Sequence, residues 1–245
     1  MLSKFFVKDK EFYKKLLYLS LPIVLQSMIM IGVNMMDTIM LGKYGEIQLS
    51  GSSLANDYIN IFQILCMGMG CGAAVLTAQY WGGNDKESIK DTIAIMLKCN
   101  IIVAIGFTLS IIFLAPQIMS IYTPDASVIE KGIIYFYWST PTFILTGLSM
   151  TMTQILRSVG LVNIPLRVSF CSFFVNIFFN WVFIFGKLGA PEMQIAGAAL
   201  GTVITRLFEA TMICGYAFIV DKRIGIRIKD ILRHSTLVLN KFIKY

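Results

Sequence analysis

The stretch LLYLSLPIVLQSMIMIGVNMMDTIML, Leu16 to Leu41, decides the fold. It holds 26 residues and a single charged one, Asp37. About 20 apolar residues, each rising 1.5 Å, cross the ~30 Å hydrocarbon layer of a bilayer, so the run reads as a membrane span. A carboxylate inside a span costs several kcal/mol unless it is protonated, paired or solvated. Asp37 is therefore a candidate functional group.

The rest of the chain has the same character. Its 245 residues are 56% hydrophobic and 14% charged, against about 25% charged in soluble chains. Apolar segments fall at about 16–41, 50–81, 90–115, 128–158, 165–186 and 194–220. Turn chemistry or charge separates them, as in Gly42-Lys43-Tyr44-Gly45-Glu46, Gly82 to Glu87 and Pro124-Asp125. The segments are continuously apolar rather than alternating, which excludes barrel strands. The expected fold is all-α: a polytopic membrane protein with six transmembrane helices.

Basic residues set the orientation. Five precede the first span, three surround the second break, two the fourth, and seven follow Val220. The opposite loops hold only Lys43, Lys131 and Lys187, with Arg206 left inside a span. Cytoplasmic loops carry the excess of Lys and Arg, so both termini are expected in the cytoplasm. Residues 1–15 form a cytoplasmic N-terminus with no cleavage site of a signal peptide. Residues 221–245 read as a basic amphipathic helix on the inner leaflet, with a flexible linker as the alternative. The net charge of +7 lies between spans rather than in a patch, so nucleic acid is not an expected partner; the bilayer is.

Other chemistries find little support. The five cysteines lie in apolar segments and the lone histidine, His234, in the tail, so structural zinc and disulfides are not expected. No Ser–Lys pair or HExxH motif marks an intramembrane enzyme. Gly68-Met-Gly70-Cys-Gly72 looks like a nucleotide fingerprint but follows no strand. Close helix packing accounts better for it and for Ala196-Gly197-Ala198-Ala199-Leu200-Gly201.

With orientation fixed, depth follows from 1.5 Å per residue. Asp37 lies about 6 Å from the outer end of the first span, Asn176 and Asn180 about 15 and 9 Å from the outer end of the fifth, and Thr202 about 12 Å from the outer start of the sixth. The i, i+4 spacing puts both asparagines on one helix face. Four oxygen-bearing side chains thus fall in one band, suited to Na⁺ or to a proton on Asp37. For the asparagines and Thr202, helix–helix hydrogen bonding is the competing explanation. Pro22 removes a backbone hydrogen bond and is expected to kink or hinge the first helix. Gln26 and Asn34 are candidate cavity-lining residues. Arg206 and Glu209, at i, i+3, read as a structural ion pair.

Several motifs carry a resemblance: LPIVLQSMIMIGVNMMDTIMLGKYGE (21–46), TAQYWGGND (77–85), VNIFFNWVFIFGKLG (175–189) and IAGAALGTVITR (195–206). Together they resemble the multidrug and toxic compound extrusion (MATE) family over residues 16–220. The resemblance implies a secondary antiporter coupled to Na⁺ or H⁺, exporting organic cations, drugs or other amphiphiles. It implies no cofactor and a bacterial or archaeal cytoplasmic membrane. Asp37 takes the place of the family's first-helix cation or protonation site, and Pro22 that of its bending proline. Asn176 and Asn180 match the polar pair of helix five, while Thr202 and Ala198 match the contribution of helix six. Asparagine at 180, where some relatives have aspartate, leaves one carboxylate and tilts the expectation toward Na⁺. The family has twelve helices in two lobes, so six helices from Met1 read as the N-terminal lobe, ending in the linker before a second lobe that it requires. A shortened gene and a functional half-transporter are both compatible with the sequence. The rival readings are a lipid-linked glycan flippase of the wider superfamily and a non-transporting membrane scaffold.

Overall fold

The computed structural model describes residues 9–232 together with 238, 239 and 242. Among them no strand occurs and seven α-helices follow one another. They are α1 (Lys10–Gly42), α2 (Glu46–Gly82), α3 (Lys86–Tyr122), α4 (Ala126–Ser139), α5 (Thr142–Ser158), α6 (Asn163–Ile184) and α7 (Ile195–Gly215). A π-helical turn, Tyr216–Val220, continues α7, and a short 3₁₀ helix covers Ile228–Leu232.

Three helix starts use an aspartate cap that accepts from an otherwise orphaned first-turn N–H group. Asp9 caps α1 by accepting from the Glu11 amide at 2.8 Å, Asp85 caps α3 through Ser88 at 3.1 Å, and Asp125 caps α4 through Ser127 at 2.9 Å. The hydroxyl and amide of Ser127 hold the Asp125 carboxyl below its ordinary range. Gly45, at φ +98, takes the backbone through the α1–α2 turn in a conformation that side chains disfavour.

Five helices are long and apolar enough to cross a membrane: α1, α2, α3, α6, and α7 with its π-helical extension. The single span expected at 128–158 is instead two helices of 14 and 17 residues. The cause is Pro141, which has no N–H to continue the ladder. Neighbouring hydroxyls satisfy the carbonyls at the break: Thr140 donates to Phe136 O at 3.1 Å and Thr142 to Ser139 O at 2.6 Å.

Buried apolar residues gather at the two ends of the bundle. One cluster joins Leu41, Phe62, Ile111, Phe136, Phe143 and Ile184; the other joins Ala73, Ile93, Met96, Met152, Leu156 and Ile213. The helices run in alternating directions between them, with α5 continuing the direction of α4. Large apolar side chains such as Leu17, Met28, Ile64, Ile102 and Phe113 point outward, the arrangement of a lipid-facing surface.

Within the segment 221–245, residues 222–227 are not helical, whereas Val238, Leu239 and Phe242 are. Gly225 turns the chain at φ +67, and Ile224 and Ile226 bury into the second cluster. Residues 1–8, 233–237, 240, 241 and 243–245, which hold part of both expected terminal segments, lie outside the described residues.

Candidate functional site

Helix α6 supplies the centre of the site. Asn176 and Asn180 stand one turn apart and are both completely buried. The Asn180 amide nitrogen donates to Asp37 Oδ1 at 2.5 Å and to Asn176 Oδ1 at 3.1 Å. A single amide thus ties α1 to α6 and orients its own neighbour.

Helix α7 closes in because two of its positions carry no side chain. A Cβ at Gly197 would lie 2.5 Å from the Phe183 carbonyl oxygen, and one at Gly201 would overlap Asn180 Oδ1. This close approach brings Ala198 and Thr202 to the site, with Thr202 Oγ1 donating to the Ala198 carbonyl at 3.0 Å.

A cavity of about 240 Å³ lies between these helices and α2 and α4. Asn34, Asp37, Asn176, Ala198 and Thr202 line it, while Asn180 stands behind them, bonded to two of the lining residues. Asn180 Oδ1 is buried without a hydrogen-bond partner, as is Asn176 Nδ2. The Asn180 oxygen lies against Gly201 of α7, so its amide nitrogen is the end turned to Asp37. The donors are one carboxylate, amide and hydroxyl oxygens and a nearby backbone carbonyl: a hard oxygen set that fits a small cation.

The remaining expected residues divide. Arg206 Nη1 lies 2.8 Å from Glu209 Oε2, and both residues line the cavity. Gln26 does not line it. Its side chain is buried between α1, α5 and α6, donating to Ser169 Oγ at 2.8 Å and accepting from Arg157 Nη2 at 2.6 Å. Its position one turn beyond the proline places it in the N-terminal half of α1, where Arg157 of α5 and Ser169 of α6 meet the helix. Pro22 is buried inside α1, which continues through it as a helix.

Further residues complete the polar wall, of which the sequence reading singled out neither Asn60 nor Tyr135. Asn56, Asn60 and Gln63 of α2 form a stripe along the cavity, with Asp57 beside them. Tyr135 of α4 lines it too, its hydroxyl donating to Asn56 Oδ1 at 3.2 Å. The 4-and-3 spacing of these amides inside an apolar segment was the available signal. Tyr135 offered none, because a tyrosine in a span reads equally as packing.

A family model described as MatE matches residues 22–182. The chain belongs to the MatE family. A probable multidrug resistance protein NorM of Thermotoga maritima is 27% identical over 222 residues, which is 87% of this chain and 45% of that protein. An uncharacterized transporter of Bacillus subtilis, YisQ, is 23% identical over 96% of this chain and 51% of its own length. Among solved structures, a MOP superfamily transporter from Pyrococcus furiosus Vc1 superposes with a TM-score of 0.84 at 20% identity, over 94% of this chain and 50% of that one. A multidrug resistance MATE family transporter in an outward-facing conformation gives 0.82 at 22%, again with half of its chain covered. These likenesses show that this MatE chain has the fold of one half of such transporters. The chain spans about half the length of the relatives it matches.

Proposed function

We propose that this MatE chain is the N-terminal lobe of a two-lobe secondary antiporter. It would cross the membrane six times, with α4 and α5 together making the fourth crossing and both termini in the cytoplasm. The lobe would bind the coupling cation at Asp37, Asn176, Asn180, Thr202 and the Ala198 carbonyl, and would export organic cations or similar amphiphiles together with its partner lobe. One observation carries this reading: the Asp37 carboxylate, the Asn176 amide and the Thr202 hydroxyl, from three helices, line one cavity, and Asn180 ties Asp37 to Asn176 from behind.

The donor set favours Na⁺ over the proton. Asparagine at 180 adds no second charge, so a single carboxylate neutralises a single monovalent ion. Alternating access then requires only that cation occupancy favour one arrangement of the lobes over another. The flippase reading is disfavoured because the charged residues lining the cavity are three acids and one arginine, a poor match to a polyanionic headgroup.

The test is binding of ²²Na⁺ to the purified chain in lipid nanodiscs. Saturable binding is expected, lost in Asp37→Asn and weakened at least tenfold in Asn176→Ala. Saturable binding that Asp37→Asn leaves unchanged would refute the site.

A further inference from the structure

One cavity holds three carboxylates, Asp37, Asp57 and Glu209, and one guanidinium, Arg206, among the charged side chains that line it. The sequence reading assigned Arg206 to Glu209 as structural glue. The geometry gives the pair a wider setting. On α7, Ala198, Thr202, Arg206 and Glu209 follow at steps of four, four and three, so they share one helix face that borders the cavity. Arg206 therefore stands one turn from Thr202, a member of the candidate cation site. Its contact with Glu209 joins Nη1 to Oε2, whereas a guanidinium carries five donors in a planar fork. The pair is largely shielded, with side-chain exposures of 19% and 12%, so its charges are weakly screened. The Arg206 charge also acts on the Asp37 carboxylate across the cavity.

Resting on the cation-site reading above, we infer that Arg206 is a tethered cation that competes with the coupling ion for Asp37 and is held back by Glu209. When Na⁺ occupies the site, Arg206 stays on Glu209. When Na⁺ leaves, the bare Asp37 carboxylate draws the guanidinium toward it, and the emptied cavity keeps a neutralising charge. Glu209 and Asp37 are thus rival anions for one fixed cation, and Arg206 and Na⁺ are rival cations for Asp37. By linkage, whatever strengthens one pairing in this set strengthens its complement. Arg206 acts here as a positioning residue, through Asp37.

Opposite responses in two variants test this. Arg206→Gln removes the internal competitor, so ²²Na⁺ affinity in nanodiscs is expected to rise at least tenfold. Glu209→Gln frees the guanidinium for Asp37, so affinity is expected to fall at least tenfold. The double variant lacks both partners and should bind more tightly than Glu209→Gln alone. A merely structural ion pair predicts shifts of the same sign in both single variants, together with lowered thermal unfolding midpoints. Shifts of the same sign, or changes below threefold in either variant, would overturn the inference while Asp37→Asn still abolishes binding. Binding that survives Asp37→Asn would instead remove the cation site itself, and the inference with it.

Discussion

At the scale of single residues, the site depends on an absence as much as on its polar groups. Asn180 can reach Asp37 and Asn176 together because α7 presents Gly201 rather than a side chain at the point of contact. Gly201→Val is therefore expected to push Asn180 out of position. Overpacking of this kind costs about 1–3 kcal/mol, and it should lower the thermal unfolding midpoint and abolish ²²Na⁺ binding together. Unaltered binding in a folded Gly201→Val chain would show that Asn180 is not required there. The polar identities at Asp37, Asn176, Asn180 and Thr202 were legible in the sequence because an oxygen-bearing side chain stands out against an apolar helix. Tyr135 and Asn60 were not, since a span tolerates tyrosines and amides at positions facing other helices, and only assembly shows which way each one points.

Among the elements, α1 is the loosest. Of its 33 residues only Pro22, Gln26 and Leu41 are buried. Polar contacts fix it at three levels: the Asp37–Asn180 hydrogen bond toward one end, the Gln26–Arg157–Ser169 network, and the Asn163 amide on the Tyr18 hydroxyl toward the other end. Pro22 lies one turn before Gln26, so the Gln26 anchor sits where the helix ladder is already short of a bond. Gln26→Leu keeps the bulk but removes both contacts, leaving the partly buried Arg157 guanidinium its bond to Gln154 Oε1. The loss is expected to be about 1–3 kcal/mol, with faster amide exchange in α1 around Pro22 than in α6. Equal protection of the two helices in wild type and variant would contradict this view of α1. The break between α4 and α5 belongs at the same scale. Pro141 was visible in the sequence, but a long apolar run outweighed one proline in the reading, and the hydroxyls of Thr140 and Thr142 that cover the break act only once the chain is folded.

Taken whole, the molecule is one half of a fold whose relatives are about twice as long. A cavity that holds a cation within one lobe can respond to that cation, but rocking movement needs a second body to move against. Cells that lack their own efflux pumps and express residues 1–245 alone are therefore expected to accumulate ethidium as fast as cells with an empty vector. Efflux from such cells that Asp37→Asn abolishes would show that two copies of this chain suffice.

The sequence by itself determined that this is a helical membrane protein, that Asp37 is its costliest intramembrane group, and that it resembles the family to which it belongs. These conclusions rest on local quantities: the length of an apolar run, the charge inside it and the order of short motifs. Only the tertiary structure decided which polar groups share a cavity. It moved Gln26 from the cavity to an anchor, brought the α2 amides and Tyr135 onto the wall, and showed that Arg206 and Glu209 line the cavity that Asp37 also lines. The physical reason is that a helix face is fixed by spacing along the chain. What that face meets is fixed by how closely the backbones can approach, and here two glycines of α7 set that approach.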